Sequence, residues 1–331
     1  MKRFVSVSLL CLFAISVLSA PAEKGAAKPA ELTIAVIPKG TTHEFWKSIH
    51  AGAIQAEQEL GVKIIWKGPL KEDDREAQIR VVENFINTKV SGIVLAPLDD
   101  TALRAPVAAA TKSGIPVVII DSGLKSEDFA SFVATDNYKG GFLGGEHLAK
   151  LLNGKGKVIL LRYQEGSAST MEREKGFLDA IAKSPEIKVV SANQYGGATK
   201  DSAYKASENL LNPLKAKDHL TVDGIFCPNE STTFGMLRAL QNAGLAGKVS
   251  FVGFDSSEKL VEALKKGEIN GLILQNPVKM GYLGVKTLVA HLRGEQIEKR
   301  VDTGVGLVTR ENMEQPEIKE LLSPDLNKWL K

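Results

Sequence analysis

The sequence predicts an α/β protein of two doubly wound parallel-sheet lobes joined by a three-crossing hinge. Three observations carry this reading. Short continuous apolar runs alternate with helical patterns along the chain, as in parallel strands covered on both faces. One unit occurs twice, from Gly92-Ile93-Val94-Leu95-Ala96-Pro97 to Val118-Ile119-Ile120-Asp121-Ser122 and from Gly224-Ile225-Phe226-Cys227-Pro228-Asn229 to Val252-Gly253-Phe254-Asp255-Ser256. Each copy is an apolar run, a proline-containing tip, a helical segment and a second apolar run closing in Asp-Ser. Finally, 331 residues suffice for two cored domains.

Residues 1–22 read as a secretory signal, with Lys2 and Arg3 before an apolar centre at Phe4–Leu18 and the small-x-small site Ala20-Pro21-Ala22. A membrane helix needs about 18 or more apolar residues, and this run is shorter. Cys11 follows the bulky Leu10 and lies too early for a lipid-attachment site. Residues 23–31 form a polar, Ala- and Lys-rich tether.

Residues 32–37 are the first strand. The loop Pro38-Lys39-Gly40-Thr41-Thr42-His43-Glu44 leads into a helix from Phe45 to Leu60, with a buried stripe of Phe45, Ile49, Ala53, Ala56 and Leu60. Gly61 stops it, and 62–66 is the second strand. Asp73 and Asp74 cap a helix whose apolar face is Ile79, Val82, Phe85 and Ile86. The first repeat copy adds two strands around a helix at 101–113. A strand at 129–134 and a helix at 140–152 follow.

A second series then begins with a strand at 158–161, a helix at 170–182, a strand at 189–192 and a helix at 203–211. The second repeat copy surrounds a helix at 232–243. A helix at 257–266, a strand at 271–275, a helix at 278–292 and one strand at 301–308 complete the pattern. Residues 311–331 are polar with a weak helical period. Asn276-Pro277 stops the strand ending at Gln275 and lets the chain cross back; Thr303-Gly304 returns it. With Thr135-Asp136 these are the expected connections. The first lobe is then 32–134 plus 276–302, and the second 135–275 plus 303–331.

Composition excludes several classes. A net charge of +3, with no basic cluster, does not suit a nucleic-acid binder. After signal removal Cys227 is the one cysteine, inside an apolar strand, where a small buried hydrophobe is the natural reading. No Gly-x-Gly-x-x-Gly follows the first strand, and neither a phosphate loop nor a Gly-x-Ser-x-Gly elbow is present. The five histidines lack metal-ligand spacing. No cofactor, metal or enzyme activity is therefore expected.

What remains is a set of polar and aromatic residues at strand tips and helix starts: Lys39, His43, Phe45, Trp46, Asp121, Arg173, Asn229, Asp255 and Gln275. Ligands of doubly wound sheets bind beyond the carboxyl ends of the strands, where these residues fall. Carboxylates, amides and a planar guanidinium suit a ligand rich in hydroxyl groups, and aromatic faces suit its C–H surfaces. Each has a plainer alternative. Asp121 and Asp255 suit helix caps, Arg173 a surface ion pair with Glu172 or Glu174, and Phe45 or Trp46 a first core residue. Adjacent on one helix, Phe45 and Trp46 are not both expected to face the core, so one should face the cleft.

These residues, with Phe45-Trp46-Lys47-Ser48, Ala134-Thr135-Asp136-Asn137, Arg173-Glu174-Lys175-Gly176-Phe177, Val252-Gly253-Phe254-Asp255 and Leu274-Gln275-Asn276-Pro277, resemble the periplasmic solute-binding proteins of fold type I, ribose-binding-like group, over about 32–309. The resemblance implies a monomeric periplasmic receptor that closes on a small sugar or polyol and delivers it to an ABC permease of the inner membrane. It also implies ligand contacts from Phe45, Trp46, Asp121, Arg173, Asn229, Asp255 and Gln275. The chain departs from the ribose pattern in three places: Ala96 stands where Asn is preferred, Ser122 where Arg is, and Thr41-Thr42-His43-Glu44 replaces the Asn-Asn-Pro loop. Pro38-Lys39, Gly61-Val62 and Gly68-Pro69 are more similar to the branch that binds a furanosyl autoinducer, in which a Lys at the Lys39 position touches ligand. A ligand-presenting sensor for a chemoreceptor or sensor kinase is the alternative role. The signal peptide and the missing helix-turn-helix argue strongly against a repressor core of the lactose-repressor type.

Overall fold

The structure is a computed structural model that describes Met1 and residues 31–330. The signal-peptide reading of 1–22 and the tether at 23–31 fall, but for Met1 and Glu31, outside the described residues.

The chain runs β1 (Thr33–Ile37), α1 (Glu44–Leu60), β2 (Lys63–Trp66), α2 (Arg75–Asn87), β3 (Gly92–Leu95), α3 (Arg104–Lys112), β4 (Val117–Ile120) and β5 (Ser131–Ala134). It continues α4 (Asn137–Leu151), β6 (Lys155–Arg162), α5 (Ala168–Ile181), β7 (Glu186–Tyr195), α6 (Lys200–Leu211), the small hairpin β8 (Lys215–Ala216) and β9 (His219–Leu220), then β10 (Gly224–Phe226). The remainder is α7 (Glu230–Asn242), β11 (Ser250–Phe254), α8 (Glu258–Lys266), β12 (Gly271–Gln275), α9 (Pro277–Leu292), β13 (Arg300–Asp302), β14 (Val305–Val308) and α10 (Pro316–Leu322).

Two six-stranded sheets result, in the orders β13-β5-β4-β3-β1-β2 and β14-β12-β11-β10-β6-β7. Every pairing within them is parallel except β12 with β14. Period-2 alternation divides each sheet between two cores. Ile34 and Val36 face α1 and α9, whereas Ala35 and Ile37 face α2 and α3. In the second sheet Val158 and Leu160 meet Phe177 of α5, and Ile159 and Leu161 meet α6 and α7. Cys227 is fully buried in the latter core, and burial pushes its thiol well above the usual range, so it is an inert core residue.

In both sheets the second-formed strand lies outside the first, and the third on the other side, so connections leave in opposite directions on either side of β1 and β6. A crevice opens beyond the carboxyl ends of the strands at such a switch point. The lining comes from the loops after β1, β2, β4, β6, β10 and β11, from the helix starts that follow them, and from the end of β12. Glycines bring the covering helices close. A Cβ on Gly141 of α4 would run into the Arg173 carbonyl of α5, and one on Gly176 of α5 into the Tyr138 carbonyl of α4. The backbone bearing Arg173 is thus fixed against α4.

The structure departs from expectation in three places. The single strand at 301–308 is two, with β13 in one sheet and β14 in the other; Gly304 between them has φ 90°, which a β-branched or bulky residue adopts poorly. β7 spans ten residues because it pairs along the whole of β6, beyond the apolar run that marks its centre. The tail also does more than expected. α10 packs on β12, with Leu322 and Met313 in the core of the second sheet, and the 3₁₀ turn at Leu326–Lys328 then touches α1 under the first. The tail therefore adds a passage between the sheets to the three at Thr135-Asp136, Gln275-Asn276 and Thr303-Gly304. Two of these lie side by side, with the hydroxyls of Thr135 and Thr303 3.2 Å apart.

Candidate ligand-binding cleft

Asp121 and Asp255 end their copies of the repeat in the same way. Each backbone N–H donates to the neighbouring strand, to Val133 O at 3.2 Å and to Ile273 O at 2.8 Å. Each then takes a positive φ, 62° and 67°. Left-handed backbone is uncommon outside glycine and better tolerated by Asp. Both side chains are buried in the space between the two sheets. Neither is the N-cap of the helix that follows it: Asp136 caps α4 after Asp121, and Ser257 holds the cap position of α8 after Asp255.

From the first sheet, Lys39 follows β1 and sets its ammonium 2.8 Å from Asp121 Oδ2. It also donates to Ser167 and Ser169 at the start of α5, at 3.3 and 3.0 Å. His43, at the N-cap position of α1, pairs through Nδ1 with Glu72. Glu72 accepts two further bonds, from Trp46 Nε1 at 2.8 Å and from the Tyr163 hydroxyl at 2.7 Å. The last of these crosses between the lobes. Burial alone would lower the His43 pKa, but the Glu72 carboxylate reverses this and raises it to about 9. The reciprocal attraction overcomes burial of Glu72 and holds its carboxyl down at about 2. His43 is an imidazolium at neutral pH, with both ring nitrogens donors.

That charge state has a measurable consequence. Because the folded-state pKa of His43 lies above its ordinary 6.5, its contribution to stability is complete below 6.5 and lost as pH rises through about 9. We expect His43→Gln to lose on the order of 1–3 kcal/mol of stability at pH 6. The gap from the parent should close between pH 6.5 and 9.5 in urea unfolding. A gap independent of pH over that range refutes the ion pair.

From the second sheet, Asp255 accepts from Gln275 Nε2 at 2.7 Å and from the Glu230 backbone N–H, the first of α7, at 3.0 Å. Burial pushes its carboxyl up to about 6, opposed by the Arg173 guanidinium 4.0 Å away. Arg173 is no surface charge. It is 2% exposed, donates to Asn137 Oδ1 at 2.9 Å and to the Pro228 carbonyl at 3.0 Å, and lies 4.0 Å over the Phe254 ring. Asn229 caps α7, accepting from the Thr232 N–H at 3.2 Å and the Thr232 hydroxyl at 2.6 Å.

Lys39, His43, Phe45, Trp46, Asp121, Arg173, Asn229, Asp255 and Gln275 all line one cavity of about 20 Å³. Phe45 and Trp46 both do so, and both also pack in the core of the first sheet, edge to face with centroids 5.0 Å apart. The expectation that only one would face the cleft is corrected. They occupy the first turn of α1, where the helix end is at once the edge of the core and the floor of the cleft. The structure adds Glu72, Tyr163, Ser169, Thr170 and Glu230 to the lining. The departures at Ala96 and Ser122 also find roles: the Ala96 carbonyl accepts from Gln78 Nε2 at 2.8 Å, and the Ser122 hydroxyl accepts the Ser169 N–H at 3.0 Å across the lobes.

Among the described residues, the cavity gathers buried polar atoms with no protein partner: His43 Nε2, Arg173 Nη2 and Gln275 Oε1. The first two donate and the third accepts.

The model of the periplasmic binding protein domain matches residues 34–296. The chain belongs to that family. A D-ribose/D-allose-binding protein of Pseudomonas aeruginosa is 30% identical to this periplasmic binding protein, over 93% of the chain and 99% of its own length. The D-allose-binding periplasmic protein of Escherichia coli is 30% identical over 77% and 83%. Among solved structures, a carbohydrate transporter solute-binding protein from Agrobacterium radiobacter, in complex with D-arabinose, superposes with a TM-score of 0.84 at 37% identity, covering 89% of this chain and all of that one. One from Agrobacterium vitis with bound D-fucose gives 0.83 at 36%, over 88% and 100%. These relatives are binding proteins rather than enzymes, and the two-lobed parallel-sheet fold is theirs.

Proposed function

We propose that this protein is a monomeric periplasmic receptor, which closes on one small sugar or polyol and delivers it to an ABC importer of the inner membrane. The observation that carries this is the convergence of His43 Nε2, Arg173 Nη2 and Gln275 Oε1 on one cavity between two sheets. A buried polar atom without a partner costs about 1–3 kcal/mol. A ligand with several hydroxyl groups satisfies such atoms, since each hydroxyl both donates and accepts. Asp121 and Asp255 supply acceptors from either side, and the Phe45 and Trp46 rings supply C–H surfaces. Relatives named for ribose, allose, D-arabinose and D-fucose fit that chemistry, and several are named for import or transport.

A cavity of about 20 Å³ holds little more than a water molecule, so a sugar enters only when the lobes part. The lobes proposed to move are 32–134 with 276–302, and 135–275 with 303–331. Binding stabilises the closed form by its preference for it over the open one.

A thermal-shift panel of pentoses, hexoses, deoxysugars, cyclitols, polyols and a furanosyl autoinducer tests the reading, because a ligand of the native state raises the melting temperature. At least one neutral sugar or polyol should raise it, and none doing so overturns the proposal. The Trp66→Phe, Trp329→Phe protein then isolates Trp46, whose indole N–H is tied to Glu72. Its emission should change on saturation with that ligand; an unaltered spectrum removes Trp46 from the site.

A further inference from the structure

We propose that the cleft opens on its hinge side into a second ligand subsite, which holds a neutral, hydroxyl-bearing substituent carried by the bound sugar. The proposal rests on the sugar-binding reading above. A chamber of about 220 Å³ adjoins the cleft cavity and is some ten times its size. The two share Phe45, Asp255 and Gln275 as a common wall. A ring gripped by Asp255 and Gln275 therefore has one edge against the chamber.

The other walls come from the first turn of α1, the start of α8, and the end of α10 with the tail after it, which roof the space with Leu322 and Leu326. Ser257 points to a ligand there. It is 7% exposed, and its hydroxyl has no partner among the described residues. At the N-cap of α8 a serine ordinarily accepts from a free amide of the first turn. This one makes no such bond, which leaves its hydroxyl to the chamber. Ser48 adds a second hydroxyl, held only by a 3.4 Å bond to the Glu44 carbonyl.

Charge sets the class of substituent. Among the described residues lining the chamber, Glu44, Asp255 and Glu258 are acidic and none is cationic. A phosphate or carboxylate would enter against like charge with no counterion. Neutral hydroxyl groups suit the serines, and the C–H faces of a polyol suit Leu322 and Leu326. The ligand class is a neutral glycoside, with its sugar ring in the cleft and a glycerol-sized or glycosyl unit in the chamber.

Calorimetry tests this with matched probes: D-ribose, D-allose, D-arabinose and D-fucose, each against its glyceryl glycoside. For at least one sugar the glycoside should bind within about tenfold of the free sugar, or tighter. Ser257→Leu and Ser48→Phe fill the chamber without touching the ring site. Each should weaken that glycoside by about tenfold or more and change the free sugar by less than about twofold. Retained free-sugar affinity also shows that the variant is folded, and either variant suffices if the other is not. Glycosides that all bind more than about tenfold weaker than their sugars, or variants that weaken both alike or neither, overturn the subsite. If none of these sugars or glycosides binds while another neutral ligand of the thermal-shift panel does, the subsite falls and the receptor reading stands; if nothing in either set binds, both fall.

Discussion

Asp255→Ala should weaken sugar binding by about 2–4 kcal/mol, and Asp121→Ala by a similar amount. Truncating Asp255 removes an acceptor in a site closed to water and releases Gln275 Nε2 and the Glu230 N–H, which it now holds at 2.7 and 3.0 Å. It also leaves Arg173 without the carboxylate that faces it. Truncating Asp121 strands the buried Lys39 ammonium, an uncompensated charge that costs about 3–5 kcal/mol, so this variant should lose stability as well. The two losses are separable by calorimetry and urea unfolding. Full affinity in both variants sinks the assignment.

The Asp255 prediction carries a pH signature. Burial raises its carboxyl from 3.8 to about 6, so the folded protein takes up a proton that the unfolded chain does not between those values. Ionising Asp255 therefore costs stability as pH rises through the window, the reverse of an ordinary paired carboxylate. A ligand hydroxyl that donates to the carboxylate offsets this cost. Affinity should fall as pH drops below about 6 in the parent, and Asp255→Asn should flatten that limb. An acid limb unchanged in Asp255→Asn would assign it to another group.

The twin carboxylates were legible because they close a repeated pattern, and repetition survives where a single motif would not. Strand positions along the chain were legible for a related reason: buried parallel strands are continuous apolar runs, and β1, β3, β4, β10 and β11 are all of that kind. Glu72 was not. It stands in Lys71-Glu72-Asp73-Asp74, which reads as a solvated helix start, and Asp74 does cap α2. Only the fold turns Glu72 inward, where it anchors His43, Trp46 and Tyr163. Tyr163 sits one residue past β6, as Lys39 sits two past β1, and strand-tip position was the signal that would have found it. Two strands at 300–308 looked like one because alternation does not record which sheet a strand joins. The Gly304 bend carries that information, and a lone glycine is too common to announce a change of sheet.

The largest test of closure lies outside the ligand contacts. Gly166 is in the β6–α5 loop, where its carbonyl accepts the Asp100 N–H at 2.8 Å and the neighbouring Glu165 carbonyl accepts from Arg75 at 3.3 Å. Both bonds join the lobes. A Cβ on Gly166 would run into the Asp99 carboxylate, itself held at 2.6 Å by Arg75. Gly166→Ala should therefore oppose the closed form while leaving every proposed ligand contact in place. Its φ of 84° adds strain of its own, so a matched control is needed. Gly154, with φ 77° and open space around the added Cβ, provides it within the same lobe. Gly154→Ala should cost about 1 kcal/mol of stability and leave affinity unchanged. Gly166→Ala should lose about 1–3 kcal/mol of sugar affinity beyond that. In small-angle scattering at a fixed, sub-saturating sugar concentration, it should also show less compaction than the parent. Equal affinity and equal compaction in the two alanine variants would remove Gly166 from the closing contact. A parent whose radius of gyration does not fall on binding would defeat hinge closure altogether, because a ligand that does not distinguish open from closed shifts neither.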